Sequence, residues 1–212
     1  MRVGLFGGAR TRRGTCDVSD SHGYGGFIDY IMEADRLGYH SLFMVEHHFT
    51  GQGQVSASMT LLAYLAARTQ RIRLGTAVVV LPWHNPVLVA EQAATLDLLS
   101  GGRFDFGVGK GYRPSEFEGF CIPIEEATER FDEAMEIIRK AWTTVGRFSH
   151  HGRRWHYDNI LVEPEPLTRP HPPLWLAAGS PDSIRRAARE GYNLLLDQLA
   201  SVRQVIERVA LF

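Results

Sequence analysis

A short run of titratable side chains follows an apolar segment near the start of this sequence. The stretch "VEHHFT" (45–50) places Glu46, His47 and His48 directly after "SLFM". Carboxylate and imidazole groups can bind a metal ion, or they can exchange protons with a bound cofactor or substrate. Neighbouring side chains of an extended strand point to opposite faces, so Glu46 and His47 diverge, as do His47 and His48. This alternation argues against one metal ion held by all three, and we predict no metal site.

His47 has two interpretations at this point. Many histidines cap a strand by hydrogen-bonding a neighbouring loop, and the hexapeptide alone fits that role. At the carboxyl end of a barrel strand, however, a polar residue is more often catalytic than stabilising. The choice between the two depends on the elements that position the histidine.

Two further segments could bind an anion. The glycines of "GVGKGY" (107–112) allow close approach of a ligand, and Lys110 adds a positive charge. In "AAGSPDS" (177–183) a helix begins beside the hydroxyls of Ser180 and Ser183, and a helix N-terminus favours phosphate. Taken separately, the first is an ordinary surface lysine and the second an ordinary capped helix. If the preceding strands are neighbours in a barrel, the two segments converge on one anion.

Short β-rich runs alternate with helical patterns, which predicts parallel strands joined by crossover helices. The predicted strands are 2–7, 41–46, 72–81, 103–111, 173–179 and 193–197. Helices are predicted at about 24–37, 57–69, 85–99, 124–145, 180–191 and from 201, with a hairpin inside 148–173 and no helix directly after "GVGKGY". Six βα units suit an open doubly wound sheet or most of a (β/α)8 barrel. Polar groups after the second, fourth and fifth strands favour the barrel, because it gathers them on one face.

Composition excludes several classes of function. The chain has 212 residues and a formal net charge of −1, so no basic excess attracts nucleic acid or anionic membranes. Apolar runs such as "TAVVVLP" are far shorter than the roughly 20 residues of a membrane span, and the first residues lack the order of a signal peptide. We therefore expect a cytoplasmic protein that binds neither nucleic acid nor membranes.

Four segments together resemble the bacterial luciferase-like, flavin-dependent monooxygenases. They are "SLFMVEHHF", "IRLGTAVVVLP", "NPVLVAEQAATLDLLSGGRFDFGVGKG" and "SPDSIRRAAREG", in this order and spacing. The resemblance covers nearly the whole chain and implies an α/β fold of the TIM (β/α)8 type. It also implies FMN, reduced by a separate flavin reductase, and the use of O2 to oxygenate a small organic substrate. A homodimer is implied as well.

The resemblance assigns residues to the flavin ring. His47 matches the catalytic histidine that assists at the flavin peroxide, and Glu46 matches its neighbour in the flavin pocket. Ala77 and Val78 match the pair under the isoalloxazine, which the family joins by a cis peptide bond. Tyr112 is expected to approach the flavin.

Three positions match the phosphate end of the cofactor. Lys110 stands where luciferases have an arginine, so it keeps the charge but lacks the bidentate fork. Ser180 and Ser183 match the phosphate-binding start of a helix. Gly179 replaces a glutamate of the luciferases, so that contact is lost.

Members of the family are longer than this chain. We therefore expect a single luciferase-like barrel domain over 1–212, truncated at its C-terminal end, with loop 9–22 and segment 148–173 shaping the substrate pocket. Two alternatives stay open. One is a deazaflavin-dependent hydride-transfer oxidoreductase of the same fold, and the other is a flavin-binding relative without catalysis.

Overall fold

The computed structural model describes residues 2–11 and 23–212. Most of the predicted loop 9–22 therefore lies outside the described residues. The strands are β1 (Gly4–Gly7), β2 (Ser41–Met44), β3 (Arg73–Thr76), β4 (Val79–Val80), β5 (Phe104–Gly109), β6 (Phe148–His151), β7 (His156–Ile160), β8 (Leu174–Ala177) and β9 (Asn193–Leu195). The α-helices are α1 (Tyr24–Leu37), α2 (Ser58–Arg68), α3 (Pro86–Leu99), α4 (Pro114–Gly119), α5 (Ala127–Thr143), α6 (Pro181–Arg189) and α7 (Val202–Val209).

Seven of the strands form one parallel sheet in the order β1-β2-β3-β5-β8-β9, with β4 also paired to β5. Helices connect successive strands, so the sheet curls into part of a (β/α)8 barrel and the six predicted βα units are confirmed. β6 and β7 form the antiparallel hairpin that was predicted within 148–173. Because β5 pairs with β8, the segments that follow these two strands lie side by side, as the barrel interpretation required.

The predicted third strand, 72–81, is wrong as a continuous element. The chain leaves the sheet after Thr76 and rejoins it at Val79, and the peptide bond between Ala77 and Val78 is cis. The Thr76 side chain takes over part of the pairing here. Its hydroxyl donates to the carbonyl of Gly107 (2.7 Å) and accepts from the Gly107 amide (2.9 Å). The polar side chain thus holds β3 against β5 where the backbone ladder is interrupted.

The core lies between the sheet and the helices that cover it. All six residues of β5 are buried, as expected for a central parallel strand. The predicted apolar stripe of the long helix is confirmed over α5, where the Trp142 indole also donates to the carbonyl of Ala90 in α3 (3.0 Å). Val145 was placed in this stripe and is 97% exposed, because α5 ends at Thr143.

Two helix starts follow from their sequence signals. The Asn85 side chain accepts from the amides of Val87 (3.0 Å) and Leu88 (3.2 Å), with Pro86 in the first turn. The Ser180 side chain likewise caps α6. Both caps satisfy amides that have no partner within the helix. Ser180 follows β8 closely, whereas the turn Leu81–Trp83 and His84 separate Asn85 from β4.

Within residues 2–11 and 23–212, no helix has the length and apolarity that crossing a membrane requires.

A buried carboxylate links α1 to the turn before β3, at the end of the barrel opposite these helix starts. Asp35, near the end of α1, accepts hydrogen bonds from the amides of Gln70 (3.0 Å), Arg71 (2.9 Å) and Ile72 (2.7 Å). Burial by itself raises the pKa of Asp35, but the three amide donors outweigh it and hold the pKa below its usual value. The ionised carboxylate therefore stabilises the turn that leads into β3.

We expect Asp35→Asn to lower the free energy of unfolding by about 1–3 kcal/mol at pH 7, because an amide group replaces a charged acceptor of three hydrogen bonds. Because the pKa of Asp35 is lower in the folded chain than in the unfolded chain, ionised Asp35 stabilises the fold fully at pH values above the unfolded-state pKa of about 4. That contribution is lost as the pH falls through the folded-state pKa. The difference between variant and wild type should therefore shrink on acidification below about pH 4. Urea unfolding at several pH values measures this difference in the free energy of unfolding. Asp29→Asn, at an exposed position of α1, is the matched control, and an equal loss there would contradict the assignment.

Candidate active site

A large cavity opens where the parallel strands end. Its volume is about 1260 Å³, and it is bordered by residues that follow β1, β2, β3, β5, β8 and β9. Parallel strands bring their carboxyl ends to one edge of a barrel, which is where barrel enzymes place their active sites. Six of the eight site residues predicted from the sequence line this cavity: Glu46, His47, Ala77, Val78, Lys110 and Tyr112.

His47 is held by a buried carboxylate. Its Nδ1 lies 3.1 Å from Oε1 of Glu116, whose side chain is only 3% exposed. The same oxygen accepts from the backbone amide of His48 (2.8 Å), and the His47 amide donates to the carbonyl of Val55 (2.9 Å). Among the described residues Nε2 of His47 has no hydrogen-bond partner, so it is the ring nitrogen left for a ligand in the cavity. A histidine that only caps a strand needs neither a buried carboxylate partner nor a second ring nitrogen available at a cavity, and His47 has both.

Glu46 has different partners from His47, as expected, although β2 ends at Met44 and the predicted strand 41–46 is two residues too long. Its Oε1 lies 3.1 Å from Nε2 of His48 and 2.8 Å from Nε2 of His84. Burial raises the pKa of Glu46, but the hydrogen bonds from His48 and His84 outweigh burial and lower the pKa from its ordinary value. Glu46 is thus a buried anion between two imidazoles, at the wall of the cavity.

Two side chains after β5 extend over the cavity mouth. Lys110 is exposed, and its Nζ donates to the hydroxyl of Thr128 (3.2 Å). Tyr112 is 70% exposed, and the Arg113 guanidinium lies over its ring, 5.5 Å from the ring centre. A flexible lysine and an exposed aromatic ring at this place can contact an anionic or a flat ligand.

Ser180 and Ser183 are not among the residues that line the cavity, although the preceding Gly179 is. Their side chains form a reciprocal capping box at the start of α6. Ser180 Oγ accepts from the Ser183 amide (3.3 Å), and Ser183 Oγ accepts from the Ser180 amide (3.1 Å). In the structure these groups serve the helix start, and their contact with a phosphate stays a prediction.

Two residues of this site were missed by the sequence analysis. Glu116 lies in α4, a short helix that the sequence analysis did not predict, and the expectation that no helix follows "GVGKGY" is wrong. The signal was Pro114, since proline is common in the first turn of a helix. His84 follows the turn Leu81–Trp83 and precedes the Asn85 cap. Its position after a strand matches that of the predicted site residues and could have marked it.

Comparison with known proteins places the chain in a family. The model of the family described as luciferase-like monooxygenase matches residues 1–211. The chain is 31% identical over 211 residues to the oxygenase component of a flavin-dependent trigonelline monooxygenase from Acinetobacter baylyi, covering 99% of this chain and 58% of that protein. It is 32% identical over 161 residues to an alkanal monooxygenase beta chain from Photorhabdus laumondii, covering 76% and 49% respectively.

Among solved structures, the monooxygenase RslO1 from Streptomyces bottropensis superposes with a TM-score of 0.89 at 32% identity, covering all of this chain and 64% of that one. The chain thus spans about half the length of the curated relatives it matches. The matched segment includes the strand ends, the cavity and the His47–Glu116 pair described above. By sequence, fold and cavity position, this chain belongs to the luciferase-like monooxygenase family.

Proposed function

We propose that this chain binds reduced FMN in the cavity and forms the site of a monooxygenase that uses O2 to oxygenate a small organic substrate. The observation that carries the proposal is the pair of His47 and Glu116 at the wall of a cavity formed by the strand ends. Membership of the luciferase-like monooxygenase family supports the same chemistry. A relative named as an oxygenase component supports a separate flavin reductase as the source of reduced FMN.

The cavity suits a flavin and a substrate together. Its volume of about 1260 Å³ is larger than the ~300–1,000 Å³ typical of a single small-molecule pocket. A Cβ atom added at Gly7 or Gly179 would have no protein atom within 4 Å, so the backbone there is open to a flat ligand. Lys110 supplies a cation at one rim. The residues present therefore fit a large, planar, phosphorylated cofactor.

Each predicted residue has a distinct task in this proposal. Lys110 and the start of α6, with Ser180 and Ser183, hold the phosphate. The cis-linked pair of Ala77 and Val78 supports the ring. Glu46 and Tyr112 border the ring, and loop 9–22 and the 148–173 segment are expected to shape the substrate pocket.

In this proposal His47 exchanges a proton with a group bound in the cavity. An ionised Glu116 only accepts hydrogen bonds, so it favours the His47 tautomer that carries its proton on Nδ1. Nε2 is then free to accept a proton from, or return one to, a group bound in the cavity. Bound reduced FMN supplies the electrons that activate O2. The protein supplies the position and the tautomer of the imidazole.

The proposal is tested by titrating the purified protein with FMN, reduced FMN and a deazaflavin, and then measuring oxygen consumption and product with an alkanal as probe. Tight binding of reduced FMN with an oxygenated product supports the proposal. Binding of the deazaflavin alone would favour the hydride-transfer alternative. Flavin binding without oxygen consumption, with the alkanal and with other small carbonyl and aromatic substrates, would favour a relative without catalysis.

Glu116→Ala tests the positioning of His47. We expect a turnover number about tenfold lower, with the dissociation constant of FMN unchanged, because the imidazole loses the group that fixes its tautomer. Glu116→Gln should recover most of the activity, since its carbonyl oxygen can still accept from Nδ1 and from the His48 amide. Steady-state kinetics and flavin titration measure both quantities. A fall in FMN affinity with an unchanged turnover number would contradict the role.

Lys110→Ala tests the phosphate end of the cofactor. We expect the affinity for FMN to fall about tenfold and the affinity for riboflavin, which lacks the phosphate, to stay unchanged, because only the charge at the rim is removed. Fluorescence titration measures both. Lys140→Ala is the matched control, since that lysine pairs with Glu136 on α5 away from the cavity. Equal losses for FMN and riboflavin would remove Lys110 from this role.

The homodimer implied by the resemblance stays a prediction. Light scattering on the purified protein measures it directly.

A further inference from the structure

We propose that Glu46, His48 and His84 form a binding site for a divalent cation of the Zn²⁺ type. These three residues are called the Glu46 cluster below. The sequence argument excluded a metal ion held by Glu46, His47 and His48 together, and the structure agrees that His47 points elsewhere. Sequence spacing gave no reason to include His84, but in the structure His84 supplies the third ligand from another strand end.

The geometry of the Glu46 cluster is close to that of a metal site. The three potential ligand atoms, one carboxylate oxygen and two imidazole nitrogens, all lie within 4.8 Å of one another. Oε1 of Glu46 is 3.1 Å from Nε2 of His48 and 2.8 Å from Nε2 of His84. Bonds of about 2.0–2.1 Å around a tetrahedral zinc ion separate its ligand atoms by about 3.3 Å. The two separations from Glu46 Oε1 would each need to lengthen by only a few tenths of an ångström to reach this value.

The ligand set points to the class of ion. Two imidazoles and one carboxylate are the protein ligands of several zinc sites that keep a fourth position for water, and also of some Fe(II) sites. Hard cations such as Mg²⁺ and Ca²⁺ prefer oxygen ligands throughout, so the Glu46 cluster discriminates against them. The chemistry thus favours Zn²⁺, with Co²⁺ as its spectroscopic substitute.

The surroundings hold the ligands in place. Glu46 is only 5% exposed, and the side chain of His48 is 14% exposed. The His48 ring meets Trp83 edge-on with centroids 5.4 Å apart and Phe120 with centroids 4.8 Å apart. These aromatic contacts restrict rotation of the imidazole and keep the local environment apolar, which strengthens the attraction between Glu46 and a cation. The His84 side chain, at 30% exposed, is the ligand on the solvent side of the site.

An ion at this place would link two strand ends. Glu46 and His48 follow β2, whereas His84 follows the turn after β4. The segment between Glu46 and His48 contains His47, so a bound ion would restrict the backbone on both sides of the proposed catalytic histidine. The inference nevertheless stands apart from flavin chemistry, because it concerns binding of the ion to the protein without cofactor.

The test uses chelator-treated full-length protein without flavin. We expect calorimetry to show one Zn²⁺ per chain with a micromolar or lower dissociation constant, and Co²⁺ to produce the visible absorption bands of a four-coordinate ion. His84→Ala and Glu46→Gln should each weaken binding at least a hundredfold. His47→Asn, in the same segment but outside the Glu46 cluster, should leave the affinity unchanged.

Two results would overturn the inference. One is the absence of four-coordinate Co²⁺ bands in the wild-type protein, which needs no variant and so does not depend on any variant folding. The other is unchanged Zn²⁺ affinity in His84→Ala, which would place the ion on surface histidines such as His151 and His156. In either case the Glu46 cluster is a set of hydrogen bonds only.

Discussion

Replacing His47 with alanine is expected to lower the turnover number for oxygenation about a hundredfold while leaving the dissociation constant of reduced FMN within about twofold. The reason is geometric. His47 lines the cavity, and its Nδ1 is paired with Glu116, which leaves the second ring nitrogen for the proposed ligand. Removing the imidazole removes the proposed proton exchange, whereas the proposed glycine and lysine contacts with the cofactor stay. Product formation under saturating reduced FMN and O2 measures the change.

Two controls separate chemistry from folding in this experiment. Among the described residues, alanine leaves the buried carboxylate of Glu116 with the His48 amide as its one donor, so part of any loss could reflect stability. His47→Asn keeps an N–H donor for Glu116 but cannot exchange protons near neutral pH, and it should be as slow as the alanine variant. His156→Ala, at an exposed position of the β6–β7 hairpin, should keep full activity. Wild-type turnover in His47→Asn would remove His47 from proton transfer.

Gly107→Ala is expected to destabilise the fold by about 3 kcal/mol or more, or to prevent accumulation of folded protein. A Cβ atom at this position would lie 1.8 Å from the carbonyl oxygen of Thr76 and 3.2 Å from Cδ1 of Leu195. The oxygen belongs to the backbone of β3 and cannot rotate away. β3 would have to separate from β5, which breaks both hydrogen bonds between the Thr76 hydroxyl and the Gly107 backbone.

Urea unfolding of the purified variant measures this effect, with the yield of folded protein as a second readout. Gly179→Ala is the matched control, because a Cβ atom there would meet no protein atom within 4 Å. That variant should unfold at the wild-type midpoint. Equal midpoints for Gly107→Ala and the wild type would mean that β3 and β5 can move apart at no cost. That result would contradict a stabilising role for the Thr76–Gly107 hydrogen bonds.

Local patterns in the sequence were sufficient for much of the fold. The alternation of strand and helix signals predicted six βα units, and the Asn85 and Ser180 signals predicted two helix starts that the structure contains. The expected separation of Glu46 from His47 agrees with their different partners, although both residues follow the end of β2 at Met44 and do not lie in a strand. These predictions succeeded because they depend on a few adjacent residues and on whether one face is buried.

The partners of the site residues came from the tertiary structure alone. Glu116 is 69 positions from His47 in the sequence, and His84 is 38 positions from Glu46. Which side chains meet over such distances depends on the register of β2 against β3 and of β4 against β5, and on the short helix α4. The hydrophobic periodicity of each segment carries no information on that register between distant strand ends. The sequence by itself therefore determined six of the groups that line the cavity, whereas packing of the strands and of α4 decided that Glu116 and His84 hold two of them.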